Sequence, residues 1–211
     1  MPAPALRPNV GRMGIGMRET ALTRVVWDGD DSYEMVLEAH CGAPPSAVYN
    51  VLANPETHLD WAGRKQRHGF QLTSLRADGP MRAGAEFTSV GSMPMTRTRW
   101  QDHSVVVRAD QAAVIEFHTD GVAVWPSGRR TEARWEHRYD IEPAADGARV
   151  IYRLRRASMT NPPLRMRFPL MATMTHLVMI PFLCRRGFSN LLRAAEQSAR
   201  STPPAARSIG P

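Results

Sequence analysis

The stretch of residues 70–157 constrains the fold most, because it breaks into six short apolar runs separated by turn signals. Residues 70–75 stop at Asp78-Gly79-Pro80, residues 85–90 lie between Gly84 and Gly91, and residues 96–107 end at Ala109-Asp110. Residues 114–119 end at Asp120-Gly121, and residues 131–141 turn through Asp146-Gly147 into residues 148–156. Asp-Gly pairs between apolar runs mark hairpins. Connections this short leave no room for crossover helices, so the runs predict an antiparallel meander.

The last two runs alternate clearly. Ala133, Trp135, His137, Tyr139 and Ile141 share one side, against Arg134, Glu136, Arg138 and Asp140. Val150, Tyr152 and Leu154 likewise oppose Arg149, Arg153 and Arg155. A period of two means one face buried and one in water. Upstream, residues 32–41 form another strand, with Tyr33, Met35 and Leu37 on one side. Pro44-Pro45-Ser46 then opens a helix carrying Val48, Tyr49, Val51 and Leu52 on one face, since proline is tolerated in a first helical turn. Asn54-Pro55 breaks it, and residues 56–61 form a second short helix ending at Gly63.

Residues 164–198 predict a long helix. Its segment 168–184 is almost wholly apolar but carries Pro169, His176 and Pro181. A membrane span needs roughly 20 apolar residues, so a helix kinked near Pro181 and lying on the buried sheet face is the better reading. Residues 1–20 and 199–211, rich in Pro, Ala, Arg and Gly, read as a disordered leader and tail around one domain at 21–198, with Met13 or Met17 as alternative starts.

The formal net charge of +7 comes almost entirely from arginine, Lys65 being the one lysine. No basic run is interleaved with aromatics, so nucleic acid is not expected, and much of the arginine belongs on the wet sheet face. Cys41 and Cys184 form neither a disulfide framework nor a zinc motif, and the default compartment is the reducing cytoplasm. The histidines lack metal-ligand spacing, and no phosphate-binding glycine motif or nucleophile elbow occurs, so neither metal nor cofactor is expected.

The order of strand, two short helices, meander and long C-terminal helix resembles the START-like, or Bet v 1-like (SRPBCC), superfamily, nearest its polyketide cyclase/dehydrase and lipid-transport branch. The resemblance rests on residues 43–56 (APPSAVYNVLANPE) with Trp61, on Gly84-Ala85-Glu86-Phe87, and on Val107-Arg108-Ala109-Asp110 leading to Ile115-Glu116-Phe117. It is completed by residues 135–143 with 146–150, and spans about residues 33–157. It implies an α+β helix-grip fold: a curved seven-stranded antiparallel sheet around the long C-terminal helix, two short helices after the first strand, and a hydrophobic cavity between sheet and helix.

Alternation and resemblance together point Phe87, Ser89, Trp100, Asp102, Ser104, Val106, Ile115, Phe117, Thr119, Trp135, His137, Tyr139 and Tyr152 into that cavity. His58 and Trp61 are expected near its mouth, with Met171, Met174 and Met179 on the helix as adaptable lining. His118, Asp120 and Trp125 are assigned to a rim, and His176 to a hydrogen-bonded core position. Asp102 and His137 are the candidate acid and base, since burial raises a carboxyl's pKa and lowers an imidazole's.

The first expectation for function is therefore binding of a lipid-, steroid- or polyketide-like molecule. An alternative is a cyclase/aromatase or dehydratase of secondary metabolism using Asp102 and His137. A third is a peripheral membrane role, with Arg165, Arg167, Arg185 and Arg186 flanking the apolar helix as anchors. A homodimer stays open.

Overall fold

Eight strands form one antiparallel sheet in the order β1-β2-β8-β7-β6-β5-β4-β3, in a computed structural model that describes residues 20–27, 32–63, 70–93 and 96–201. The strands are β1 (Ala21–Trp27), β2 (Tyr33–Cys41), β3 (Gln71–Ala77), β4 (Glu86–Met93), β5 (Thr98–Asp110), β6 (Val114–Val124), β7 (Arg130–Ala144) and β8 (Gly147–Thr160). Helix α1 (Pro45–Ala53) starts on a proline, and a short 3-10 turn (Pro55–Thr57) leads into α2 (His58–Ala62). Most of the expected leader, both alternative start methionines, Arg64, Lys65 and the tail beyond Ser201 lie outside the described residues.

The sheet has eight strands rather than seven. The additional one, β1, pairs with β2 through a bulge between Leu22 and Arg24. That bulge puts Leu22 opposite Leu37 and Val25 opposite Met35, so the apolar residues fall three apart and the period of two is lost.

Two strands also run through their expected stops. β4 continues past Gly91 to Met93, and β6 continues past Asp120-Gly121 to Val124. Gly91 pairs with Trp100, and Gly121 pairs with Asp102. Both glycines mark close approach of a neighbouring side chain rather than a turn.

The outer face carries the charge, as the alternation predicts. Arg149 donates to both Glu38 and Glu142, Arg138 to Glu116 and Asp140, Arg155 to Glu136, and Arg134 to Asp120. Each exposed pair contributes little by itself, so the ladder holds register and solubility more than stability.

The long helix differs in detail from a single kinked rod. A 3-10 turn (Leu164–Arg167) precedes α3 (Pro169–Met174), a π turn (Thr175–Met179) follows, and α4 (Ile180–Ser201) completes it. The Ile180 N–H donates to the Thr175 carbonyl, five residues back, immediately before Pro181. Proline lacks the N–H that a regular turn needs, and a π bulge is one way a helix absorbs that defect.

Phe188, Leu191, Leu192 and Ala195 of α4 pack into a core with Tyr33, Met35 and Leu37 of β2, Val48 and Leu52 of α1, and Val150 and Leu154 of β8. A smaller cluster of Met81, Phe87 and Val106 sits apart from it, and half-buried Phe117 touches both. Truncating the fully buried Leu191 to alanine removes contacts from the helix–sheet seam. Urea unfolding of Leu191→Ala is expected to show a loss of about 3 kcal/mol.

Candidate functional site

Register turns the inner face, the one that α4 packs on, into rows of side chains across the strands. One row reads Ser89, Asp102, Gly121, Ala133 and Met159 from β4 to β8. The neighbouring row toward the strand ends holds Gly91, Trp100, Ala123 and Thr131. On the other side lie Phe87, Ser104, Thr119, Trp135 and Arg156, with Tyr33 of β2 beyond them. The sequence-predicted faces of β4 to β8 are thus the observed ones.

Around Asp102 the floor is made of small residues. A methyl group added at Gly121 would lie 2.5 Å from Asp102 Oδ1, and one added at Gly91 would collide with the Trp100 indole. Asp102 makes no hydrogen bond or ion pair among the described residues. Burial alone pushes its carboxyl up to about 7, from an ordinary value near 4. Beside it, Trp100 Nε1 is buried without an acceptor. An indole N–H can only donate, and leaving one unpaired costs about 1–3 kcal/mol. Two polar groups without protein partners therefore leave β5 two residues apart, the indole lying over Gly91 of β4 and the carboxyl over Gly121 of β6.

His137 has the opposite surroundings. Its Nδ1 is 2.9 Å from the Tyr152 hydroxyl, and its ring stacks on Phe117 at 4.7 Å. Burial, with a smaller contribution from His118, holds its pKa down to about 3. The imidazole is neutral and belongs to the core. Asp102 and His137 are separated by two strand spacings and four residues along β7, roughly 15 Å, so they cannot act on one atom. Tyr139 and Tyr152 stack at 4.5 Å, and burial raises both phenols above their ordinary range.

The remaining expected residues divide clearly. Ile115 is fully buried core; Ser104 and Thr119 hydrogen-bond each other at 2.8 Å; Phe87 meets Phe117 edge-on. His58 Nε2 bonds the Leu52 carbonyl at 2.9 Å, which ties α2 to α1. Trp61 packs on His58, and its carbonyl accepts from Asn190 of α4. His118 lies on the outer face near Glu116, Asp120 pairs with Arg134 there, and Trp125 Nε1 donates to Thr131. Met171 and Met174 point away from the sheet, at 44% and 45% exposure, and Met179 is half-buried. The two methionines do not line the inner face, because Ala172, Thr175 and His176 occupy the inward side of the helix.

Sequence reasoning missed Arg156. It is 2% exposed, inward-facing, and donates from Nη1 to His176 Nε2 at 2.8 Å, while its guanidinium lies over the Trp135 ring. That bond makes Nε2 the acceptor, so Nδ1 carries the proton and donates to the Ala172 carbonyl at 2.8 Å. His176 also stacks on Trp27 at 4.6 Å. The signal was present, since Arg156 is in phase with Val150, Tyr152 and Leu154. Among the described residues, no three His, Cys, Asp or Glu side chains gather as metal ligands.

A depression of about 480 Å³ opens beside β5 among Arg99, Trp100, Gln101, Asp102, His103, Asp120 and Arg130. Its lining mixes these charged groups with Trp100 and with Val90, Val122 and Val124.

No family model matches the chain, and no curated protein does. Solved structures do. An uncharacterised protein from Rhizobium leguminosarum is similar, with a TM-score of 0.55 at 14% identity over 79% of this chain and 95% of its own. A protein of unknown function from Staphylococcus aureus matches with a TM-score of 0.54 at 12% identity, over 81% and 98%. A Rhodobacter sphaeroides protein matches with a TM-score of 0.52 at 12% identity, over 83% and 96%. The likeness is one of fold.

The state of Asp102 fixes how stability varies with pH. In the fold its carboxyl stays protonated up to about pH 7, whereas in the unfolded chain it ionises near 4. Its contribution is therefore full below about pH 4 and lost as the pH rises through 7. Asp102→Asn should match the parent near pH 4 and exceed it at pH 8, by up to about 4 kcal/mol, in denaturant titrations at the two pH values.

Proposed function

We propose that the protein is a START-like, helix-grip ligand-binding protein whose inner face takes a largely apolar small molecule. That molecule is lipid-, steroid- or polyketide-like and carries a hydroxyl or carbonyl oxygen. One observation carries this reading: Asp102 and the Trp100 indole N–H, two residues apart on β5, have no protein partners, and their side chains lie over Gly121 and Gly91. The indole N–H donates to the ligand oxygen. Asp102 accepts from a hydroxyl when ionised and donates to a carbonyl when protonated. Phe87, Phe117 and Trp135 supply apolar surface beyond, in the manner of small-molecule sites with few placed polar groups.

A second reading, catalysis of a cyclase or dehydratase type, draws support from the near-neutral pKa of Asp102, which suits a general acid or base at physiological pH. In that reading Asp102 acts without His137, which is remote and neutral.

Native mass spectrometry of the purified protein is expected to reveal an apolar adduct that denaturation releases. With a fluorescent apolar probe displaced by long-chain alcohols, Gly121→Ala should weaken binding tenfold or more, since the added methyl meets the Asp102 carboxyl. Asp102→Asn should retain binding but lose its pH dependence around 7. Unchanged probe affinity in a folded Gly121→Ala protein would sink the assignment of this site. Turnover of a bound molecule that vanishes in Asp102→Asn would select the catalytic reading.

A further inference from the structure

The N-terminal half of the long helix leaves its outward side bare. Leu170, Met171, Met174, Leu177, Val178 and Phe182 are each more than two-fifths exposed, whereas Ala172, Thr175, His176 and Ile180 are buried on the opposite side. Exposed positions recurring every three to four residues form one continuous stripe, and Phe168 extends it at the N-terminal end. Soluble monomers rarely leave so many neighbouring apolar side chains in water.

Charge decides what covers them. Residues 164–195, which hold the helix, contain five arginines and no aspartate or glutamate. Arg167 and Arg186 are exposed at the two ends of the stripe, and neither pairs with a carboxylate among the described residues. The Arg186 guanidinium lies over the Phe182 ring at 5.8 Å, so positive charge sits directly against the apolar surface. Arg193, exposed and seven residues further, continues the same line. A second copy of this chain docked through the stripe would bring two acid-free basic rims together, which costs energy. A surface of phosphates would complement them.

We propose that this face docks on a bilayer containing anionic lipid. The apolar side chains enter the boundary between headgroups and acyl chains, and the flanking arginines meet lipid phosphates. Docking is peripheral, because no helix among the described residues is long and apolar enough to cross a membrane. The stripe lies opposite the inner face, so this proposal stands independently of the ligand site.

Flotation of the full-length protein with phosphatidylcholine vesicles, with and without phosphatidylglycerol, tests it. Binding is expected with phosphatidylglycerol, little without it, and less as salt rises. Arg186→Ser should lower partitioning about fivefold, the share of one arginine at an anionic surface. Leu177→Ser combined with Phe182→Ser should abolish it; because all three side chains are exposed, near-UV circular dichroism should be unchanged. No binding, or equal binding to both vesicle types, would overturn the proposal. So would a dimer in sedimentation velocity that the paired serine substitutions dissolve, since that would give the face to a second copy.

Discussion

A single helix about 10 Å across cannot cover a sheet whose eight strands span roughly 34 Å. The rest of the architecture follows from that mismatch. α4 packs chiefly on β1, β2, α1 and α2, and its buried residues join one large cluster there. The β4–β5 end of the inner face forms a separate, smaller cluster around Met81, Phe87 and Val106. Where helix cover runs out, the sheet lowers its own profile with Gly91, Gly121, Ala123 and Ala133, and the polar groups of Trp100 and Asp102 occupy the relief. Core and candidate pocket are two treatments of one continuous face.

The same face gives two titratable groups different fates. His137 has a hydroxyl partner and an aromatic plane, so burial makes it a neutral core residue. Asp102 is offered neither, and burial leaves its carboxyl balanced near neutrality. Residue type and alternation put both groups inward; partners, which alternation does not encode, decide which of them is available to a ligand. Arg156 is a third case, a cation held inside by an imidazole acceptor and an indole face.

Much of the sheet was legible because β7 and β8 alternate through most of their length, with charge mainly on one side. β1 was not, since its bulge destroys that period within seven residues. Asp120-Gly121 carries the same local hairpin signal as Asp146-Gly147, yet it lies inside a strand. Local turn chemistry cannot register that Asp102, distant in sequence, needs the space. The helix hid its orientation for another reason. Where nearly every residue of 168–184 is apolar, no periodicity tells the inward side from the outward one. The π turn then rotates the phase between Met171 or Met174 and the residues that follow. The candidate site was therefore readable on the strands and unreadable on the helix.

The hydrogen bonds that fasten Thr20, where the described chain enters β1, run to the far end of the sequence. Thr20 Oγ1 meets Ser189 Oγ across 169 residues, and Arg185 donates to the Thr20 carbonyl across 165. Trp27 rests on His176 of the π turn. During synthesis β1 emerges well before the surface that secures it. The strand can zip locally onto β2, but its inner side closes only once the C-terminal helix has arrived. This is a long-range closure of the kind that slows folding and favours a late, cooperative final step.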